Sequence, residues 1–513
     1  MKIKHPMQRW LPVAGGFVLV LSVLLGASPG FAQELYEEPQ MPIFTPVEPL
    51  GSSVIARPGS DEIMSLASCI DIAMANNDSL QAERERRAEL DGIKYQALST
   101  GLPTLDLVGD WSRQRDPSMA LNPVFSGDDG GGMAPPPGAP EWFNDWLGGF
   151  GSLIPAAEDI PAASYWRTNF SLNWEINPVK IAGAVGAANL GIERQDLIIT
   201  AYEHRTAESV IGSYFSVIMM AEAVNAIEAQ YSNQKELLEL TKMRYELGFA
   251  TRLDTLTAAV ALANIEPDLR NFRQQMVNAG SRLNATMGRD PLLPLTIANE
   301  QILEDDIINQ EIALELAMSR PELTSVERFI GILGRQKQTQ VADHLPYLTA
   351  FGNYGWVGTD FDNQWETGHD SWSAGVALNI PIFRGLRTKG EVGETKAKIR
   401  RTERELVGFQ RVAQVQALEI MNNLTTARQN LLAANLNLDQ AEEALEEALL
   451  MYQIGKASYL TVLDSETNHL NARRTLIDAR YQVLTLTASL KRAVGYSPAT
   501  RLADIPGLVV TSR

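Results

Sequence analysis

Few residues in this chain are spaced to do chemistry. Of its 5 histidines, His204, His344, His369 and His469 are dispersed, and none has a second ligand at metal-site spacing. Asp464, Glu466 and His469 crowd into six positions and could form a small site, although the same pattern is that of a solvated helix face. The single cysteine, Cys69, lies in an amphipathic helical pattern and reads as a buried small residue rather than a nucleophile. No Gly-x-Ser-x-Gly, Walker loop or dinucleotide fingerprint occurs between a strand and a helix. The expectation is a protein that is not an enzyme and holds no metal or cofactor.

Composition narrows the field further. The 513 residues carry a formal charge of −18, which disfavours nucleic acid as a partner, because phosphate binding needs surplus Lys and Arg. One cysteine excludes an internal disulfide framework. With 45% hydrophobic and 21% charged residues, the average resembles that of a soluble protein.

Residues 1–32 read as a secretory signal: Lys2, Lys4 and Arg9, an apolar run from Val13 to Leu25, then Gly30 and Ala32 at the positions a signal peptidase reads. The apolar run is short of the roughly twenty residues a membrane span requires. Cleavage after Ala32 would remove three basic residues and no acid, taking −18 to −21. Residues 33–60 are Pro-rich and read as a linker. No later stretch is continuously apolar for twenty residues, so any return to a membrane would be as β-strands.

Two copies of one unit are visible. Gly101-Leu-Pro-Thr-Leu recurs as His344-Leu-Pro-Tyr-Leu at an offset of 243, and Tyr245-Glu-Leu-Gly248 as Tyr452-Gln-Ile-Gly455 at an offset of 207. The first copy spans 61–300 and the second 301–496, with a tail over 497–513. About 36 extra residues in the first copy fall in 116–163, a Gly- and Pro-rich loop whose Asp128 and Asp129 could hold a cation but suit a flexible loop better.

Alternation of apolar and polar residues predicts strands over about 104–114, 167–177, 346–358 and 371–382. The pattern suits a transmembrane barrel and a half-buried soluble sandwich equally. Four strands cannot close a barrel, and lipid does not tolerate open edges. A spanning sheet would therefore need other copies of the chain.

Helical hairpins are predicted over about 181–288 and 387–495, after a helix over Glu62–Leu98. Val210, Val217, Val224, Tyr231, Leu238 and Tyr245 recur every seven residues, as do Ala417, Leu424, Leu431, Leu438, Leu445 and Tyr452. Sustained heptads mark a coiled-coil seam. Each hairpin breaks at a glycine, Gly248 or Gly455.

The order of signal, helix, Leu-Pro-x-Leu strand, second strand and long hairpin, repeated once, resembles the TolC-like outer-membrane efflux proteins. Leu102-Pro103, Leu345-Pro346, Asn379-Ile-Pro-Ile-Phe383 and Tyr452 to Asp464 carry the resemblance, which runs from about Glu62 to Gly495. It implies an α+β membrane protein: a homotrimer whose roughly twelve pooled strands form one barrel in outer-membrane lipid. A periplasmic α-helical coiled-coil barrel would continue it. Implied partners are a periplasmic adaptor (membrane fusion) protein and an inner-membrane pump or ABC transporter, in tripartite efflux or type I secretion. Cargo would be small molecules or polypeptides.

The resemblance also implies a closed periplasmic tip. By motif position Tyr452 would be an aromatic link with Asp254 as its acidic partner, and Asp464 would form a carboxylate ring. The hairpin tips, Gly248 with Arg252 and Gly455 with Lys456, would dock the adaptor. Ala457 and Thr461 stand where the family pattern has an arginine and a further aspartate, so these two positions supply neither the arginine of a latch nor a second acidic ring. Asp254 and Asp464 also read as plain helix N-terminal carboxylates. A coiled-coil envelope protein that tethers membranes without a pore is the competing function.

Overall fold

The computed structural model describes residues 63–115, 138–143, 145–146, 162–299, 303–304 and 306–509. The expected signal 1–32, the linker 33–60 and the Asp128–Asp129 pair lie outside the described residues.

The helix expected over Glu62–Leu98 is two helices, α1 (Leu66–Asn76) and α2 (Asp78–Ser99). Asn77 between them is extended, and its Oδ1 accepts from the Leu80 amide at 3.2 Å. A side chain that caps its own following helix competes with helix continuation at that point. Its amide nitrogen donates to the Thr286 carbonyl at 3.0 Å, so the break is also a tertiary anchor. Just before α1, β1 (Ile63–Met64) pairs in parallel with a short β4 (Thr296–Ile297).

β2 (Thr104–Gln114), β3 (Ala163–Ile176), β5 (Tyr347–Gly358) and β6 (Asp370–Asn379) form one antiparallel sheet in the order β2-β3-β5-β6. The register sorts side chains by face. Leu107 lies opposite Phe170, Phe170 opposite Tyr354, and Tyr354 opposite Trp372. One position along, Asp106, Ser171, Asn353 and Ser373 make a polar row, with Asn353 Nδ2 donating to Ser373 Oγ at 3.3 Å. Period-two side-chain direction thus gives one apolar and one polar surface across all four strands. Among the described residues, β2 and β6 each have a paired neighbour on one side only.

Two strand limits differ from expectation. β3 begins at Ala163, not about 167, because its pairing runs on to Gln114 and Trp166 packs on Trp111 with ring centroids 6.0 Å apart. β6 ends at Asn379, not about 382, since Pro381 has no amide to extend the ladder.

The helices are long. α3 (Pro178–Glu246) has 69 residues, on the order of 100 Å at 1.5 Å per residue. Pro178 opens it and Asn177 Oδ1 caps the Lys180 amide at 3.1 Å. α3 packs against α4 (Arg252–Thr286), and later α7 (Arg387–Gln453) packs against α8 (Tyr459–Ala493), with α3 also touching α8. Between the hairpins come α5 (Gln310–Met318) and α6 (Pro321–Ala342). The bounds of α2 and α6 differ by 243 at both ends, and those of α4 and α8 by 207.

The heptad residues Val210, Val217, Val224 and Leu238 are buried, as are Ala417, Leu424 and Tyr452. Part of α3 is apolar enough to cross a bilayer by composition, but most of that window is buried inside the chain. Val210, Tyr214 and Val217 pack there with Cys69, Leu283 and Leu484 in the main core.

Candidate functional site

The hairpin tips end in the same backbone device. Gly248 and Gly455 have φ of +81° and +77°, a left-handed conformation that favours glycine. Phe249 N donates to Arg244 O at 2.7 Å and Gly248 N to Tyr245 O at 3.0 Å. Lys456 N donates to Met451 O at 2.8 Å and Gly455 N to Tyr452 O at 3.0 Å. These paired bonds satisfy the last helix carbonyls and reverse the chain within a few residues.

The two tips differ in their tyrosines. Tyr245 is 46% exposed, whereas its counterpart Tyr452 is 4% exposed and packs with Leu237, Leu238, Ala258, Ala448, Tyr459 and Val462. The Tyr452 hydroxyl lies 3.1 Å from Thr241 Oγ1. Within the chain Tyr452 is therefore joined to Thr241 and not to the Asp254 expected from the resemblance. Asp254 closes a capping box at the start of α4: its Oδ2 accepts from the Thr251 amide at 2.8 Å, and Thr251 Oγ1 accepts from the Asp254 amide at 3.2 Å. A carboxylate three residues into a helix does this work locally.

Arg244, in the last turn of α3, makes the cross-hairpin tie that sequence reasoning missed. Its guanidinium lies over the Tyr452 ring at 4.8 Å, and Nη1 donates to the carbonyls of Tyr452 at 2.9 Å and Gln453 at 3.0 Å. A cation at the C-terminus of α7 also opposes the negative end of that helix. The only sequence signal is its asymmetry, because the corresponding position in the second copy is Met451.

Asp464 is exposed on α8, beyond its first turn. Arg252 and Lys456 are exposed at the tips, beside the exposed Leu247, Phe249, Leu253, Ile454 and Leu460. Glu466 contradicts the expected solvated face. It is 5% exposed and its Oε2 has no hydrogen-bond partner among the described residues, because α3 covers the side of α8 that a two-helix hairpin would leave to water. Its neighbour His469 turns instead to Glu442 of α7, 3.5 Å away.

A sheet with one apolar face joined to two very long hairpins narrows the comparison to known architectures. The model of the outer membrane efflux protein family matches residues 69–289 and 319–496. The chain belongs to the outer membrane efflux protein family. As a member, it is an outer-membrane protein that acts in transport, and both helical hairpins fall inside the matched regions. It is similar to the antibiotic efflux pump outer membrane protein ArpC of Pseudomonas putida, with 21% identity over 338 residues, 60% of this chain and 69% of that one. The alkaline protease secretion protein AprF of Pseudomonas aeruginosa is 21% identical over 294 residues, 56% of this chain and 60% of that one. The solved Campylobacter jejuni CmeC outer membrane channel has the same fold, with a TM-score of 0.68, 17% identity, and coverage of 85% of this chain and 87% of that one.

Proposed function

We infer that this efflux protein is the exit duct of a tripartite efflux or type I secretion system, formed by three copies of the chain. The observation that carries the reading is the four-stranded sheet with an apolar face and two edges that, among the described residues, no strand of the same chain covers. In lipid each uncovered edge leaves a row of unsatisfied amides and carbonyls, so β6 of one copy would pair with β2 of the next. Three copies would pool twelve strands, within the range of known membrane barrels. The apolar rows such as Leu107, Phe170, Tyr354 and Trp372 would face lipid, and the rows of Asp106, Ser171, Asn353 and Ser373 would face the lumen.

The paired bounds of α2 with α6 and of α4 with α8 support two copies of one unit in each chain. Their hairpins would extend the duct through the periplasm and end at the tips around Gly248 and Gly455. Exposed Leu247, Phe249, Leu253 and Leu460 beside Arg252 and Lys456 suit a periplasmic adaptor, itself joined to an inner-membrane pump. The names of relatives such as ArpC and AprF cover both drug efflux and protease secretion, so small molecules and polypeptides are both candidate cargo.

At the tip, Tyr452 held by Thr241 and Arg244 would keep the second hairpin closed against the first, with Asp254 setting the start of α4. Exposed Asp464 from three copies would bring carboxylates into one narrow ring, which favours cations as charged rings in channels do. Recording single channels of the purified protein in planar bilayers tests this. A conducting, cation-preferring pore whose preference falls in Asp464→Ala is expected; a protein that never conducts would remove the duct reading, and unchanged selectivity would remove Asp464 from it.

A further inference from the structure

Glu466 sits eight residues into α8, about 10 Å from its start at 1.5 Å per residue. It stands one turn beyond Val462, at the edge of the tip core that holds Tyr452 and Tyr459. Its unpartnered Oε2 belongs to a residue lining a cavity of about 70 Å³, enough for a few waters. The cavity lies where α3, α7 and α8 meet, so it belongs to the seam between the two hairpins.

The side chains that α3 and α7 present to it carry no positive charge. From α3 come the uncharged amides Gln230 and Asn233, and from α7 Leu445. The acid that α7 brings nearby is Glu442, which is already engaged with His469. On α8 itself, His469 and Arg473 line the same cavity. Burial pushes the Glu466 carboxyl up to about 7. The Tyr459 hydroxyl is also pushed up, by its own burial first and in smaller part by the charge of Glu466. The fold does not demand an acid here, because the equivalent position of the first hairpin is the exposed Ala259. Among the described residues no group of three or more His, Cys, Asp and Glu could hold a metal ion.

We propose that Glu466 is a proton-operated latch in the seam between the two hairpins. Protonated, it lies neutral among α3, α7 and α8, and the tip core packs. When it ionises, the proton passes to solvent and a carboxylate remains in a buried seam that α3 and α7 line with uncharged side chains. The cost of that charge is relieved by drawing water into the cavity, which parts α8 from α3. Both forms are populated close to neutral pH, so modest changes in periplasmic acidity would shift the tip between packed and loosened states. Its consequence for transport rests on the duct reading; the proton site itself does not.

Two readouts on the purified full-length protein separate the two. Hydrogen-exchange protection factors of segments 226–233 and 459–473 are measured from pH 5.5 to 8.5, alongside bilayer conductance over the same range. In the wild type, protection is expected to fall about tenfold between pH 6 and 8, with conductance rising in step. Glu466→Gln should remain protected at every pH, and His469→Gln should retain the step. A step that survives in Glu466→Gln, disappears in His469→Gln, or is missing from the wild type overturns the latch. A protection step abolished by Glu466→Gln in a protein that conducts at no pH would uphold the latch and overturn the duct.

Discussion

Arg244 Nη1 donates to the Tyr452 carbonyl at 2.9 Å while the same guanidinium covers the Tyr452 ring at 4.8 Å. One side chain thereby ties the end of α3 to the end of α7, and it does so at the tip where the hairpins turn. The planar fork matters: a lysine can supply the charge but not two directed bonds and a stacked face together. Arg244→Ala should therefore cost about 1–3 kcal/mol of local stability, from the lost charged hydrogen bonds and the cation–π contact. Limited proteolysis at the tips would be faster in Arg244→Ala and only partly restored in Arg244→Lys. Equal cleavage rates in all three proteins would show that the tie carries no stability.

Two glycines of similar backbone angle should respond differently to substitution. Among the described residues a Cβ at Gly248 meets nothing within 4 Å, so Gly248→Ala costs only the left-handed conformation, about 1–2 kcal/mol. At Gly288, φ is +71° and an added Cβ would collide with the Asn76 carbonyl oxygen. That backbone cannot withdraw without disturbing the Asn77 break between α1 and α2. Thermal unfolding should show a small drop in Tm for Gly248→Ala and a much larger one for Gly288→Ala.

Buried Lys491 forms an ion pair at 2.8 Å with half-buried Glu304, their side-chain exposures being 7% and 18%. Glu304 Oε2 also accepts from the Leu502 amide at 2.8 Å, so the carboxylate fastens the C-terminal segment to α8. Removing one partner leaves the other charged and poorly hydrated. Lys491→Ala is expected to cost about 3–5 kcal/mol, and Lys491→Met with Glu304→Gln together considerably less. A double variant as unstable as the single one would contradict that explanation.

Glu466 makes stability depend on pH in a direction opposite to most carboxylates. Its folded-state affinity for a proton is raised from an ordinary 4.5 to about 7, so the stability it contributes is complete below 4.5 and is lost as pH rises through about 7. Glu466→Gln removes this titration. Its Tm should match that of the wild type near pH 5 and exceed it at pH 8 by a few degrees, given about 1 °C per kcal/mol for a chain of 513 residues.

Much of this architecture is legible in the residues, and the exceptions have physical reasons. The heptads of α3 and α7 expose their seam because burial on one helix face repeats every seven residues. The tips are legible because a left-handed residue there favours glycine. Alternation marks the strands, but the start of β3 depends on a Trp111–Trp166 contact between distant segments. Arg244 reads as an ordinary basic residue closing its own helix; that it reaches Tyr452 follows only from how two helix ends are brought together. Glu466 reads as solvated because the pattern of α8 does not reveal that α3 lies over it.

If the sheet is one part of a larger closed barrel, its two edges meet between copies of the chain. Cysteines placed singly along β2 and β6, in a Cys69→Ser background, would be oxidised in the native outer membrane and the products sized by electrophoresis. For at least one β2–β6 pair the duct predicts covalent dimers and trimers and no larger species. Chains that remain monomeric for every pair, or ladders that continue past three copies, would contradict it.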